Sequence, residues 1–394
     1  MDSGFPRRAT RMNTPLYLMD PPALADFCAR LRRSSWLALD TEFIRERTYY
    51  PQLCLIQIAI ADQIACIDPL ALPSLEPLLD ALYDPKIIKV LHSASQDLEI
   101  FFHLRGAVPA PVFDTQLAAL VLGQGHQIGY AALVQQTLGV NLDKAHTRAD
   151  WRRRPLPEEW LVYAADDVRY LPDVYQRQRA LLEQRGWLEA LAEDFAALSD
   201  PDRYRSPLQE VWRRVRDCHR LRGVQRAVLR ALAAWREEQA IAHDRPRRWI
   251  LGDHAVLELA RRMPQTLDEL RHVRDLPPAT LARYGEALLE RIGAARAEPS
   301  ECWPTLPGSP RLSPAQATRV DGVLALIAER ASDCGIPPQV LADRREVENL
   351  LAGRDSPLRQ GWRAAVIGLD RLAQWRDVQP VEHIQATFMG SGRN

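Results

Sequence analysis

The chain has 394 residues, 46% of them hydrophobic and 26% charged, a globular composition with length for two or three domains. Its 51 Lys+Arg and 51 Asp+Glu cancel to a formal net charge of zero, which argues against a protein that grips nucleic acid over its whole surface. No run of about 18 apolar residues offers a membrane span, residues 1–12 lack the apolar core of a signal peptide, and none of Lys86, Lys89 and Lys144 follows a glycine as a P-loop NTPase requires.

The charge is segregated along the chain. Residues 1–202 carry 20 basic and 27 acidic side chains, 203–296 carry 20 and 12, and 297–394 carry 11 and 12. The six cysteines (28, 54, 66, 218, 302, 334) form no C-x-x-C pair and read as free thiols in a reducing cytoplasm.

In chain order, residues 36–43 (WLALDTEF), 53–60, 64–67 and 87–91 are short apolar or β-branched runs separated by turn-forming segments. They predict strands, the second and third close enough for a hairpin. From about residue 94 the periodicity turns helical, at 96–104, 114–122, 130–138 and 157–184. Strands followed by helices predict an α/β fold, a mixed sheet flanked by helices. Asp200-Pro201-Asp202 marks a boundary, and no strand is evident beyond it. Residues 207–241 are Arg-rich with helical apolar spacing, 298–312 hold four prolines and read as a linker, and 313–376 are helical with breaks at 337–338 and 357. The predicted organisation is a first domain over 1–202, two all-α helical modules over 203–296 and 313–394, and a linker over 297–312.

Chemistry concentrates in the first domain. Asp40 and Glu42 end an apolar strand at i and i+2, so both project from one face. Two buried carboxylates on one face repel each other, and a divalent cation relieves the cost of ionising both. Alone, so short a pattern reads better as a solvated strand edge with a charged Asp-Thr-Glu turn. Asp97 falls in the first turn of a helix, where its charge is favoured by the dipole, and Asp114 precedes another helix as an N-cap. Tyr163 and Asp167 stack at i and i+4 of a later helix, with Asp166 close to the same face. Converging, such acids form an oxygen-only set suited to Mg²⁺ or Mn²⁺. Two such ions activate a water and stabilise the entering and leaving oxygens of a phosphodiester, and a phenol nearby can orient that water or help take its proton.

These residues also carry a family resemblance. Asp40-Thr41-Glu42, His92-Ser93-Ala94-Ser95-Gln96-Asp97 and Tyr163-x-x-x-Asp167 resemble the three exonuclease motifs of the DEDD superfamily, tyrosine subtype. Tyr49-Tyr50-Pro51-Gln52-Leu53, Phe113-Asp114-Thr115-Gln116 and Arg153-Arg154-Pro155-Leu156 resemble the ribonuclease D family within it. The resemblance implies a ribonuclease-H-like fold and a 3′→5′ exoribonuclease that releases 5′-mononucleotides and trims tRNA precursors and other small structured RNAs. It implies that Asp40, Glu42, Asp97 and Asp167 hold two Mg²⁺ ions, that Tyr163 positions the attacking water, and that Asp114 supports the site from behind. Trp212, Leu232-x-x-Trp235-Arg236-Glu237 and Asp244-Arg245-Pro246-Arg247-Arg248-Trp249-Ile250-Leu251 resemble an HRDC domain, with 313–394 as a second, divergent copy.

Further residues are candidate substrate contacts: Thr41, Phe43, Gln57, His92, Gln96, Asp114 and Lys144. Trp151, Arg152, Arg153, Arg154 and Thr147 read as a loop near the substrate mouth or as ordinary surface. The excess of +8 over 203–296, beside Trp212, Trp235 and Trp249, suits phosphate contacts and base stacking. The expected partner is RNA with a free 3′ end, met by a monomer in the cytoplasm without membrane or nucleoside triphosphate. A DNA 3′ exonuclease and a non-catalytic RNA scaffold are the alternative functions.

Overall fold

A computed structural model describes residues 14–142, 149–306 and 313–368. Strands β1 (Leu16–Leu18), β2 (Trp36–Ile44), β3 (Gln52–Ala59), β4 (Ile64–Ile67), β5 (Ile88–Leu91) and β6 (Val112–Asp114) form one mixed sheet ordered β1-β4-β3-β2-β5-β6. The four predicted strands are β2 to β5, and the predicted hairpin is the antiparallel β3–β4 pair, with Ile56 opposite Ile67. Edge strands β1 and β6 have three residues each, too few to show a period in the sequence. From Cys54 to Ala59, β3 is buried without interruption, the pattern of a strand covered on both faces.

The helices of this part are α1 (Pro21–Leu31), α2 (Glu76–Leu82), α3 (Ser95–Arg105), α4 (Thr115–Val121), α5 (Tyr130–Leu138), α6 (Glu158–Arg169), α7 (Leu171–Gln184) and α8 (Ala192–Leu198). The single helix expected over 157–184 is therefore two. Pro172 stands at the second position of α7, where it lacks an N–H and disfavours continuous helix through the residues before it.

Topology decides where the acidic residues meet. β2 lies at the middle of the sheet and runs parallel to β5, with Ala38 beside Val90, and β5 runs parallel to β6, with Leu91 beside Asp114. The carboxyl ends of all three strands therefore open on one edge, the usual place for a ligand in an open α/β sheet. There the chain leaves β5 for α3 and β6 for α4.

A buried ion pair ties the other side of the sheet to the chain before α6. Asp68 follows β4 with no exposed side-chain surface and receives Arg154 Nε at 2.5 Å and Nη2 at 2.7 Å, with the Tyr17 hydroxyl at 2.5 Å. Arg154 Nη2 also donates to the Cys54 carbonyl at 2.7 Å. Burial opposes ionisation of Asp68, but donation from Arg154 and Tyr17 holds its carboxyl below the usual range. Arg154 is thus a structural strut. Arg154→Met, which strands a buried carboxylate, is expected to cost about 3–5 kcal/mol; urea unfolding checks this, and a loss under about 1 kcal/mol would contradict it.

Residues 43–53 and 201–310 form a separate compact unit. Its helices are α9 (Val224–Ala242), α10 (Arg247–Ile250), α11 (Asp253–Arg262), α12 (Leu267–Arg271) and α13 (Pro278–Arg296). The helix expected from 207 begins only at 224. Before it come short 3₁₀ turns at Val211–Arg214 and Cys218–Arg220, and Gly223 has φ +54° with the Trp303 ring 3.3 Å from where a Cβ would sit. Trp212 and Trp235 are core, whereas Trp249 is 51% exposed. Arg236 and Glu237 are buried struts: Arg236 Nη1 donates to the Leu251 carbonyl and to Asp253, and Glu237 accepts the Tyr49 hydroxyl at 2.5 Å and pairs with Arg247. The backbone N–H groups of Tyr49 and Tyr50 donate to Asp244 at 2.9 and 3.2 Å.

The last described helices are α14 (Pro314–Cys334), α15 (Pro338–Leu341), α16 (Arg344–Leu351) and α17 (Gly361–Ile367), with breaks where the prolines predicted them. Val323, Ile327, Leu341, Leu350 and Trp362 fill their core. This segment groups with 1–42 and 54–200 in one unit. Arg363 meets Asp194 of α8 at 3.2 Å, and a Cβ on Gly123, which has φ +74°, would collide with the Gly335 carbonyl. No strand follows β6 among the described residues.

Candidate active site

Strand alternation places Asp40 and Glu42 on one face of β2, past the apolar Leu37-Ala38-Leu39. Asp97 is buried in the first turn of α3, and the Thr41 hydroxyl donates to its Oδ1 at 2.5 Å, so the residue between the two β2 acids fixes the third. α6 supplies Tyr163 and Asp167, one turn apart.

The four carboxyl groups share one electrostatic environment. Burial, then the charges of Asp97, Asp167 and Glu42, push Asp40 well above the carboxylate range. Burial, then Asp167 and Asp97, push Glu42 up to about 8. Asp97 is pushed up to about 6 by burial in spite of the Thr41 hydrogen bond, and Asp167 to about 7 by burial and Asp166. Three segments widely separated in sequence thus converge on four acids that resist joint ionisation. A hard divalent cation fits them by donor chemistry, because the donors are all oxygen and its charge removes the repulsion. The fit rests on that chemistry alone, since no group of three His, Cys, Asp or Glu among the described residues stands preassembled as a metal cage.

Asp166, the neighbour that helical spacing leaves beside Asp167, is engaged elsewhere: its carboxylate takes Arg169 Nε at 2.5 Å. Tyr163 lies against Trp151, ring centroids 6.4 Å apart and planes 28° apart, and Trp151 meets the edge of Trp160 at 5.5 Å. Trp151 is only 3% exposed. It backs Tyr163 from inside and is not an ordinary surface residue. Arg153 covers Trp160 at 5.9 Å, and Arg152 pairs with Asp150 at 2.9 Å.

Several expected substrate contacts face inward. Thr41 is engaged by Asp97. The carboxylate of Asp114 caps α4 through the N–H groups of Gln116 and Leu117 and also receives those of Ser93 and Ala94, so it fixes the turn before α3. His92 uses Nδ1 on Thr115 at 3.0 Å and Nε2 on the Ile128 carbonyl at 2.9 Å, and burial holds its pKa below the ordinary value. Gln57 is 0% exposed, with both polar side-chain atoms unpaired. Thr41 and Asp114 brace the turn that carries Asp97, and the polar groups of His92 and Gln57 are directed into the fold. Gln96 is exposed beside Asp97, Phe43 is half-buried on β2, and Lys144 and Thr147 lie outside the described residues.

Sequence reasoning missed Tyr130. Its phenol is pushed well above its ordinary value by burial and by the charges of Asp167 and Asp40. A lone tyrosine opening α5, more than thirty residues before Asp167, carries no local spacing to reveal it.

The sequence profile of the 3′-5′ exonuclease family matches residues 17–183, and that of the HRDC domain matches 225–292. A ribonuclease D of Gluconacetobacter diazotrophicus is 39% identical over 94% of this chain and 93% of its own length. That of Pseudomonas paraeruginosa is 40% identical over 85% and 89%. Among solved structures, Escherichia coli RNase D, described as an exoribonuclease involved in structured RNA processing, superposes with a TM-score of 0.81 at 32% identity, covering 93% of this chain and 100% of that one.

Proposed function

Because the chain belongs to the ribonuclease D family, it is a 3′→5′ exoribonuclease of a divalent-metal-dependent class acting on RNA, and we propose that Asp40, Glu42, Asp97, Tyr163 and Asp167 carry its chemistry. The observation that supports this reading is the mutual repulsion of the four acids from β2, α3 and α6, with Tyr163 one turn from Asp167. The four carboxylates would hold two Mg²⁺ ions, with Mn²⁺ as substitute; bound there, such ions acidify water and neutralise charge on a phosphodiester.

The protein's own groups do the rest. Thr41 holds Asp97 at its ligand position. The Tyr163 phenol orients the attacking water and helps take its proton, and Trp151 fixes the ring so that little rotamer freedom is lost at each turnover. Exposed Gln96 is placed to meet the terminal nucleotide. In domain terms, 1–202 is the exonuclease domain and 203–296 the HRDC domain that guides RNA through its +8 balance and exposed Trp249; the helices within 313–368 serve as a packing buttress. The substrate is RNA with a free 3′ end, tRNA precursors foremost, and the enzyme acts as a monomer in the cytoplasm, where its six free thiols stay reduced.

Digestion of a 3′-extended tRNA with Mg²⁺ tests the reading. 5′-mononucleotides released stepwise from the 3′ end, with a matched DNA oligomer cut more slowly, are expected. Internal cuts, or products bearing 3′-phosphates, would refute it.

The raised carboxyl pKa values also set a linkage. Near pH 7 part of the acid set is protonated before the cation arrives, Glu42 holding its proton up to about 8, and ligation demands the ionised form. Mg²⁺ binding is expected to release protons and to weaken as pH falls from 8 to 6. Calorimetry in two buffers of different ionisation enthalpy measures the release; identical heats would count against the site.

A further inference from the structure

At the end of α6 the helical ladder is interrupted by a side chain. An unbroken helix would aim the Tyr170 N–H at the Asp166 carbonyl. Here the Tyr130 hydroxyl stands between them, accepting from the Tyr170 N–H at 3.3 Å and donating to the Asp166 carbonyl at 3.1 Å. A phenol can play both parts at once. An inserted side chain is a recognised cause of a helix bend, and here α6 gives way to α7 at Tyr170. Asp167 sits inside the bridged rung, one residue after its acceptor.

Tyr130 is itself well anchored. Its ring packs with Leu133, Val134 and Val174 and lies 5.7 Å from that of His92. Two residues before it, the Ile128 carbonyl is held by His92 Nε2 at 2.9 Å and by Gln116 Nε2 at 3.0 Å. A second tie, Arg177 Nη1 to the Thr137 carbonyl at 2.6 Å, joins α7 to α5. A continuous set of contacts thus runs from His92, through Ile128 and Tyr130, to the turn of α6 that carries Asp167.

We propose that Tyr130 is a positioning residue, whose hydroxyl replaces the Asp166–Tyr170 rung and thereby sets the direction in which Asp167 faces the other three acids. The inference rests on the assignment of Asp167 to the metal-holding set. Without the hydroxyl the rung either closes directly or opens, and either change turns Asp167. A displacement of this kind far from the chemistry is enough to lower turnover by roughly ten- to hundredfold.

The test is a double-mutant cycle of Tyr130→Phe and Asp167→Asn on the full chain, read by Mg²⁺ binding in calorimetry and by kcat and KM on RNA. Tyr130→Phe keeps the ring and its packing. Alone it is expected to weaken Mg²⁺ binding about fivefold and lower kcat about tenfold with KM unchanged, and to change nothing further in the Asp167→Asn background. Wild-type metal binding and kcat in Tyr130→Phe, or an equal loss in both backgrounds, would overturn the inference while leaving the site intact. Wild-type metal binding and turnover in Asp167→Asn alone would overturn the site assignment itself, and the inference with it.

Discussion

Asp40→Asn is expected to abolish turnover and, in EDTA, to make the protein more stable. With Mg²⁺ present, kcat/KM should fall about a thousandfold or more if Asp40 is a charged ligand as proposed, because cations so held would contribute several kcal/mol to the transition state. Stability moves the other way. Asp40 is pushed far above its unfolded-state value by burial and by Asp97, Asp167 and Glu42. Below about pH 4 the carboxyl is protonated in both states and imposes no penalty. As pH rises, the unfolded chain releases the proton while the folded chain retains it, and the native state is increasingly disfavoured. Asparagine removes that penalty at nearly constant volume. The thermal midpoint of the variant in EDTA should therefore exceed that of the wild type at pH 8 by a few degrees and by less at pH 6. Scanning calorimetry at the two pH values, beside an RNA decay assay, checks both halves. A variant within tenfold of wild-type activity would remove Asp40 from the chemistry.

Tyr163→Phe tests the proposed proton-handling role of the phenol separately from the proposed metal-holding role of the acids. Loss of a group that assists proton transfer costs roughly a hundred- to ten-thousandfold in rate. The phenylalanine ring keeps its place against Trp151, so the melting temperature and the Mg²⁺ affinity should stay at wild-type values. A parallel loss of metal affinity would instead make the phenol part of the ligand set. An unchanged kcat would return Tyr163 to the role of an ordinary helix residue.

The residues read most directly from sequence sit in elements with strong local patterns. β2 announces itself as an apolar run ending in Asp40 and Glu42, α3 as a strand-to-helix crossing with an acid in its first turn, and α6 by helical period. What sequence hid was tertiary. Trp151 looked like a loop residue because nothing local shows that it is buried against Tyr163. His92 and Gln57 have side chains suited to a phosphate or a base, yet the fold turns them inward. Spacing left Asp166 and Asp167 open, and only the ion pair to Arg169 shows the carboxylate of the first to be occupied. The apolar spacing of 207–223 imitated a helix, but Asp217 and Gly223 adopt left-handed backbone and the chain turns instead. Arg236 and Glu237, legible in the sequence only as part of the HRDC resemblance, are internal cross-braces.

The β2–β3 connection has a consequence for how the chain can be divided. Residues 43–53 lie next to Glu42 in sequence but fold as part of the 201–310 unit, where Tyr49 is buried with its hydroxyl on Glu237 and its ring beneath Arg247. The unit is therefore discontinuous, an eleven-residue arm joined to a distant helical body. A cut at residue 202 would not release a self-contained nuclease; it would leave two tyrosines without the body that receives them, at the loop adjoining the strand that carries Asp40 and Glu42. A chimera that exchanges the helical body between relatives would have to carry this arm with it.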